Sequence, residues 1–187
     1  MRTSRVLGVA FGAALLALAP LARAGELAGV KMPDTMEAGG KTLKLNGMGL
    51  RKKAIFKVYV GGLYLEAPSK DASVATADAP KSMRMQFVRS VGKDKLVEGF
   101  REGFEANAKE KAAAQKAAVE KLLAALPDVK DGDVLTYTYV PGKGTTVTHG
   151  DKELVSIEGR DFGDILFLVW LGPHPPTEDL KKGLLGG

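Results

Sequence analysis

The sequence predicts an α+β domain, and two observations carry that prediction. Several segments alternate apolar and polar residues with a period of two, which is the pattern of half-buried strands, as in the alternation of Met83, Met85 and Phe87. A central region instead repeats its apolar residues at helical spacing and predicts two apolar stripes. The first stripe is Leu96, Val97, Phe100 and Phe104, and the second is Val119, Leu122, Leu123 and Leu126. Strands and helices come in runs, without the βαβ alternation of parallel sheets, so an antiparallel sheet with two groups of helices is favoured.

The first 24 residues have the pattern of a secretory signal and are not expected to join the fold. Arg2 and Arg5 precede an apolar run rich in alanine and leucine, and Ala22-Arg23-Ala24 puts small residues where a signal peptidase reads them. We therefore expect cleavage after Ala24 and a periplasmic or secreted product. An uncleaved membrane anchor is the alternative, but the run is short for a spanning helix and Arg23 interrupts it.

Residues 25–187 have the size of one domain with a core of its own. Without the three arginines of the signal, 24 basic residues face 22 acidic ones, so a nucleic-acid partner has no support from charge. No later segment has the length and apolarity of a spanning helix, so no stable membrane insertion is expected after cleavage.

Residue types that carry metal or thiol chemistry are scarce. The chain has no cysteine, which excludes thiol catalysis and fits an exported bacterial-type protein that does without disulfides. Its two histidines, His149 and His174, have no HxH or HxxxH partner. We expect neither a metal site nor a cofactor.

Strands are predicted first. Residues 25–41 form an entry strand and a turn at Gly39-Gly40, and the alternation of residues 41–47 predicts a strand that ends in a turn at Asn46-Gly47. Residues 54–60 follow as a strand whose core face is predicted to carry Phe56, Val58 and Val60. Its other face carries Ile55, Lys57 and Tyr59.

The remaining elements follow from the same two periods. After the strand, Gly61-Gly62 suggests a bulge or a close backbone approach. Asp161 is the expected N-cap of the helix that follows Gly159. In chain order we predict a loop at 67–80, a strand at 82–91, helices at 93–108 and 110–126, three strands within 133–159, a helix ending at Gly172-Pro173, and a short helix at 177–186.

Three stretches carry a resemblance to a known family. They are NGMGLRKKAIFKVYVGGLYLE (46–66), MRMQFVRSV (83–91) and FLVWLGPHPPTEDLKKGLLG (167–186). In these residues and in the order of its elements, the chain resembles the chalcone isomerase-like family over residues 27–186. The resemblance implies an open-faced β-sandwich, in which a large antiparallel sheet has helices packed on one face and a ligand cleft between the layers.

The resemblance implies two different functions. Non-catalytic members bind fatty acids and hold the carboxylate with an arginine and a tyrosine, which match Arg51 and Tyr59. Chalcone isomerases use the arginine to stabilise an enolate and carry threonine at the position of Tyr59. The isomerases also use a tyrosine that would lie near Lys93-Asp94-Lys95, where this chain has no tyrosine.

The resemblance therefore favours a ligand-binding protein for a small amphipathic anion, such as a fatty acid or an aromatic acid, with Arg51 and Tyr59 as binding residues. An intramolecular lyase of the chalcone isomerase type, with Arg51 as its catalytic residue, is the alternative. An envelope interaction protein without a small ligand is a further one.

Physical chemistry leaves two interpretations of these side chains open. An arginine pairs two carboxylate oxygens at once and a tyrosine donates a further hydrogen bond, but Arg51 also fits an exposed strand arginine and Tyr59 a packing aromatic. For Phe167 and Trp170, core packing is expected in preference to contact with an acyl chain.

The distance between Arg51 and Tyr59 decides whether one ligand can contact both. In one straight strand the Cα atoms of Arg51 and Tyr59 would lie about 26 Å apart. The chain must double back between them, although Arg51–Ile55 has no glycine to ease a tight turn.

Overall fold

The computed structural model describes residues 25–187, so the predicted signal at residues 1–24 lies outside the described residues. The strands are β1 (Gly25–Leu27), β2 (Val30–Met32), β3 (Thr35–Ala38), β4 (Lys41–Lys53), β5 (Phe56–Leu65), β6 (Lys81–Phe87), β7 (Val134–Val140), β8 (Gly144–His149) and β9 (Lys152–Ile157). The helices are α1 (Lys93–Ala114), α2 (Lys116–Ala125), α3 (Arg160–Leu171) and α4 (Glu178–Leu184), with a 3-10 turn at Ala72–Ala75.

Strands β3 to β9 form one seven-stranded sheet in which each strand pairs with its neighbour in the sequence, always antiparallel. Four helices pack against it, and β1 and β2 form a separate hairpin. The predicted α+β class and the large antiparallel sheet are confirmed. None of the described helices is long and apolar enough to cross a bilayer.

The two faces of the sheet are covered differently. The main core lies between the sheet and the helices, and it includes Leu63, Met83, Phe87, Phe100, Leu123, Leu166, Phe167 and Leu180. On the opposite face, Val60 packs with Val30 and Met32 of the β1–β2 hairpin in a smaller cluster. The helices therefore lie on one face, and a small hairpin covers part of the other.

The predicted turn at Asn46-Gly47 is wrong, because β4 continues through it to Lys53. The register shifts at Asn46, whose side-chain amide donates to the carbonyls of Ser69 and Leu184 at 2.9 and 2.8 Å. Gly47 serves a different purpose from a turn. A Cβ at this position would collide with the carbonyl oxygen of Gly183, so glycine lets the end of α4 lie directly on β4.

The predicted core face of β5 is wrong for two of its three residues. Val58 packs against the main core, but so does Tyr59, while Val60 points to the opposite face and Phe56 is 54 % exposed. The cause is a bulge: Arg51 pairs with Tyr59 but Lys52 pairs with Lys57, which leaves Val58 without a partner on β4 and shifts the alternation.

The glycine pair Gly61-Gly62 lies inside β5, and the register there continues without a bulge. The other half of that prediction, a close backbone approach, is confirmed, because a Cβ at Gly62 would collide with the sulfur of Met32.

The helices follow the predicted periodicity with shifted ends. The apolar stripe predicted for the second helix is buried, as is most of the stripe predicted for the first. Helix α1 extends to Ala114 with a kink at Ala108, where φ is −151°. Asp161 lies in the first turn of α3 and is not its N-cap, because the helix already begins at Arg160 after Gly159, where φ is 91°.

Candidate functional site

A cleft of about 660 Å³ opens beside the turn of the β4–β5 hairpin, between the sheet and helices α1 and α3. Residues 174–176, which follow α3, form one edge. Its apolar lining includes Val58, Met85, Leu96, Phe100, Val169 and Trp170. Its size is within the range of small-molecule sites, and its position between the layers is the one expected from the sequence.

Arg51 and Tyr59, the two predicted site residues, both line this cleft. The chain doubles back through the two residues Ala54 and Ile55, so that Arg51 and Tyr59 become direct cross-strand partners. Ala54 takes the left-handed conformation, with φ of 53°, that a glycine would adopt more easily. The Cβ atoms of such partners lie about 5 Å apart, so one head group can contact both side chains.

Arg51 is half-buried and has no carboxylate within ion-pair distance among residues 25–187. Its Nη1 donates to the carbonyl oxygen of Lys52. The guanidinium carries five N–H donors, so most of them remain for a ligand. Its charge is therefore available to an anion in the cleft.

Tyr59 is held by the single tryptophan of the chain. The indole Nε1–H of Trp170 donates to the Tyr59 hydroxyl at 3.2 Å, and both residues are buried. An indole nitrogen only donates, so the phenol oxygen is the acceptor and its own proton is free to donate to a ligand.

Burial raises the pKa of Tyr59 to about 12, while the Trp170 hydrogen bond and the Arg51 charge act in the opposite direction. Tyr59 is thus a neutral hydrogen-bond donor at physiological pH.

Trp170 is the site residue that the sequence-based argument missed, since it was expected only to pack in the core. It is buried, and it also lines the cleft and orients Tyr59. A buried tryptophan normally finds an acceptor for its N–H, and this rule was the available signal. Phe167 lies in the core, as expected, and does not line the cleft.

Behind the floor of the cleft lies a further phenol. The ring of Tyr137 packs against Trp170 and Phe100, with centroids 5.3 and 5.5 Å away. Its hydroxyl is buried and has no hydrogen-bond partner among the described residues. Burial raises the pKa of Tyr137 well above its usual value, and the electrostatic interaction with Tyr59 raises it further. Tyr137 is therefore also neutral.

The mouth of the cleft is mostly basic. Lys53, Arg89 and Lys95 line it together with Arg51, against one carboxylate, that of Glu102. The exposed Lys95 forms an ion pair of 2.6 Å with Glu98 on α1, outside the lining. The arrangement gives the entrance a positive potential that favours anions.

The edge formed by residues 174–176 is tied to α1 by Asn107. The Asn107 side-chain amide donates to the carbonyls of Gly103 and His174, each at 2.9 Å. The backbone N–H of His174 donates back to the Asn107 Oδ1 at 2.8 Å. This reciprocal pair fixes one wall of the cleft. No group of three or more potential ligands that could hold a metal ion occurs in the described part of the chain.

Comparison with known proteins identifies a family and solved structures with the same fold. A family model described as chalcone isomerase-like matches residues 24–186. A crystal structure of a fatty-acid binding protein from Arabidopsis thaliana superposes with a TM-score of 0.66 at 15% identity, covering 84% of this chain and 92% of that one. At 15% identity, this similarity is evidence for the shared fold alone. No curated protein matches the chain.

Proposed function

The chain belongs to the chalcone isomerase-like family, and on that premise we propose that it binds a small amphipathic anion, such as a fatty acid, in the cleft. The anionic head group lies between Arg51 and Tyr59 at the basic mouth. The apolar part extends between the sheet and helices α1 and α3. No cofactor takes part.

One observation carries the proposal: a guanidinium without a carboxylate partner among residues 25–187 and a phenol with a free proton are cross-strand neighbours in an apolar cleft. Guanidinium and carboxylate form parallel, charge-assisted hydrogen bonds. Their attraction is stronger beside apolar walls than in bulk water. Tyr59 adds a donor from a neighbouring strand, so the head group is held from two sides.

The rest of the cleft supports an apolar tail. Met85, Leu96, Phe100 and Val169 contribute hydrocarbon or aromatic surface to its lining. The fold is shared with a plant protein that its name describes as fatty-acid binding, and this similarity is consistent with a lipid-like ligand for the present chain.

An isomerase of the family type has less support. Arg51 has the charge to stabilise an enolate, but the start of α1 offers Lys93, Asp94 and Lys95 where the enzyme resemblance implies a tyrosine. Tyr59 replaces a threonine, and its pKa of about 12 makes it a poor general base at neutral pH. We therefore propose a binding protein and no enzymatic activity.

We also propose that residues 1–24 are removed and that the protein acts in the periplasm. The basic start, the apolar run and Ala22-Arg23-Ala24 support this. The matched family region, which begins at residue 24, is compatible with cleavage there. N-terminal sequencing of protein from the periplasmic fraction tests it, and a product that retains Met1 would contradict it.

Native mass spectrometry of gently purified protein, followed by titration with dodecanoate, tests the binding proposal. We expect a lipid-sized adduct, and Arg51→Ala should weaken dodecanoate binding at least about tenfold, because charged hydrogen bonds contribute about 1.5–3 kcal/mol. The matched control is Arg101→Ala, which removes an exposed arginine paired with Glu120 and should leave affinity unchanged.

Failure of dodecanoate and related anions to bind, or equal affinity in the Arg51→Ala protein, would overturn the proposal. Chalcone turnover that disappears with Arg51→Ala would support the isomerase in its place.

A further inference from the structure

The turn of the β4–β5 hairpin exposes two large apolar side chains. Ile55 is 87 % exposed and Phe56 is 54 % exposed, and they are the exposed large hydrophobic residues of the part of the chain that the structure describes. They are adjacent, so together they form an apolar point at the end of two long strands. The left-handed Ala54 makes the turn tight and places Ile55 at its apex.

Positive charge surrounds this point. Arg51, Lys52, Lys53 and Lys57 flank it on the two strands, and no acidic residue occurs anywhere from Lys41 to Leu65. A fifth cation comes from the chain after β6, where the Arg89 guanidinium lies 4.6 Å from the centroid of the Phe56 ring. We call residues 51–57 the basic hairpin tip.

Two carboxylates of α1 come near the basic hairpin tip. Glu98 is paired with Lys95 at 2.6 Å, and Glu102 lines the cleft. The pKa of Glu98 is lowered first by its hydrogen bond with Lys95, with Lys53 as a smaller contribution. The tip itself therefore keeps an excess of positive charge.

We propose that the basic hairpin tip docks the protein on an anionic lipid bilayer. Ile55 and Phe56 enter the boundary between head groups and acyl chains, and the exposed Lys52, Lys53 and Lys57 contact the lipid phosphates. Apolar side chains bind favourably at the start of the acyl-chain region, and flexible cations beside them bind the anionic head groups. This inference goes beyond anion binding in the cleft and does not depend on it.

A bilayer fits the tip better than an acidic protein does. The tip is a narrow, projecting turn with two apolar side chains, and a fluid apolar layer accepts such a point without a preformed pocket. The cleft mouth is also continuous with the tip, since Arg51, Lys53 and Phe56 belong to the tip and also line the cleft. Docking would thus place the mouth at the bilayer surface, where an amphipathic ligand resides.

Co-sedimentation with vesicles of 70% phosphatidylcholine and 30% phosphatidylglycerol tests the proposal. The chain is expressed in full, so every variant carries the same N-terminal residues. We expect binding to these vesicles and little to pure phosphatidylcholine. The double change Ile55→Ser and Phe56→Ser should reduce vesicle affinity at least about tenfold, since each apolar side chain loses its transfer into the bilayer.

Charge is tested separately. Lys52→Glu with Lys57→Glu should weaken binding about tenfold or more, because each surface cation contributes on the order of 1 kcal/mol beside anionic lipid. The matched control, Lys70→Glu with Lys143→Glu, makes the same charge change in two exposed connections at the opposite end of the sheet. This control should retain most of the binding.

Insertion has its own measurement. Trp170 is buried, so an added tryptophan in Ile55→Trp should shift its emission to the blue with anionic vesicles and be quenched by brominated lipid, whereas wild-type emission stays unchanged. No binding to anionic vesicles, equal binding by the Ile55→Ser and Phe56→Ser protein, or capture of an acidic protein without vesicle binding would each overturn the proposal. Dodecanoate titration without vesicles reports on the cleft alone, so the two proposals fail separately.

Discussion

Arg51 and Tyr59 lie directly opposite one another on β4 and β5, although eight residues separate them in the chain. A turn of two residues reverses the direction of the chain, and a bulge at Val58 directs the Tyr59 side chain toward the helices. Both donors are thus fixed on the sheet before any ligand arrives, which reduces the entropy that binding must overcome.

The first prediction concerns the coupling of this pair. Because Arg51 and Tyr59 would contact the same carboxylate, Arg51→Met and Tyr59→Phe should each weaken dodecanoate binding, and their effects should differ from additivity by about 0.5–3 kcal/mol. Isothermal titration of the two single variants and the double variant measures this. With the methyl ester of the same acid, which lacks the charge, the Arg51→Met effect should nearly vanish. Strict additivity with dodecanoate would contradict a shared head group.

Removing the Tyr59 hydroxyl should also affect stability. Tyr59→Phe leaves the buried Trp170 Nε1–H without its acceptor, so we expect the free energy of unfolding to fall by about 1–3 kcal/mol. Tyr137→Phe is the matched control, because its hydroxyl is buried without a partner within residues 25–187 and its loss should be neutral or stabilising. Urea titration followed by Trp170 fluorescence measures both. Equal destabilisation by the two variants would argue against the Trp170 hydrogen bond.

Asn107 should determine how firmly the cleft edge is held. Asn107→Ala removes three hydrogen bonds, one with Gly103 and two with His174, which should cost about 1.5–4.5 kcal/mol at a net 0.5–1.5 kcal/mol each. Hydrogen exchange of the His174 amide should accelerate more than exchange in the sheet. Glu105→Ala, which removes only an exposed pair with Lys109 on the same helix, should change neither quantity appreciably. Unchanged exchange at His174 would show that other contacts hold this edge.

Gly49 should be intolerant of any side chain. A Cβ there would collide with the carbonyl oxygen of Leu180 in α4, so Gly49→Ala should destabilise the fold by about 1–3 kcal/mol through overpacking. Gly99, inside α1, has open space at its Cβ position, and Gly99→Ala should stabilise by about 0.5–1 kcal/mol through helix propensity. Thermal unfolding of the two variants compares them directly. A rise in Tm for Gly49→Ala would mean that α4 does not rest on β4 this closely.

Lys81 should make stability depend on pH. It is buried, and burial lowers the pKa of its amine to about 8, from 10.5 for an ordinary lysine. Between these two pH values the unfolded chain binds more protons than the folded one, so the Lys81 contribution to the free energy of unfolding rises with pH.

Chemical denaturation from pH 7 to pH 10 tests this expectation for Lys81. Relative to Lys81→Met, the wild-type protein should gain on the order of 1–3 kcal/mol across the interval. Buried tyrosines are common to both proteins, so their ionisation cancels in the difference. A constant difference across the interval would contradict a lowered pKa.

Sequence periodicity was sufficient where an element buries one face only. The stripe Val119, Leu122, Leu123 and Leu126 predicted the buried face of α2, and the alternation of β6 placed Met83, Met85 and Phe87 in the core. Between them, Glu120 and Lys121 of α2 are exposed, and Arg84 and Gln86 of β6 are only partly buried. The pattern then has one interpretation, and the structure confirms it.

Strand β5 shows where periodicity stops being sufficient. The side chains of Tyr59 and Val60 point to opposite faces of the sheet, yet both are buried. Helices cover the face with Tyr59, and the β1–β2 hairpin covers the face with Val60. A strand buried on both sides has no polar face to mark which side is which. The bulge at Val58 shifts the alternation further, and nothing in the local sequence predicts it.

By itself the sequence determined the types of element, their order, the antiparallel α+β class, the family resemblance and the identity of two binding candidates, because these depend on local patterns along the chain. Only the tertiary structure decided that Arg51 and Tyr59 meet, that Trp170 orients the phenol, and that the hairpin tip projects beside the cleft. Those relationships depend on one alanine adopting a left-handed turn and on the register between strands, which are set by the packing of the whole sheet.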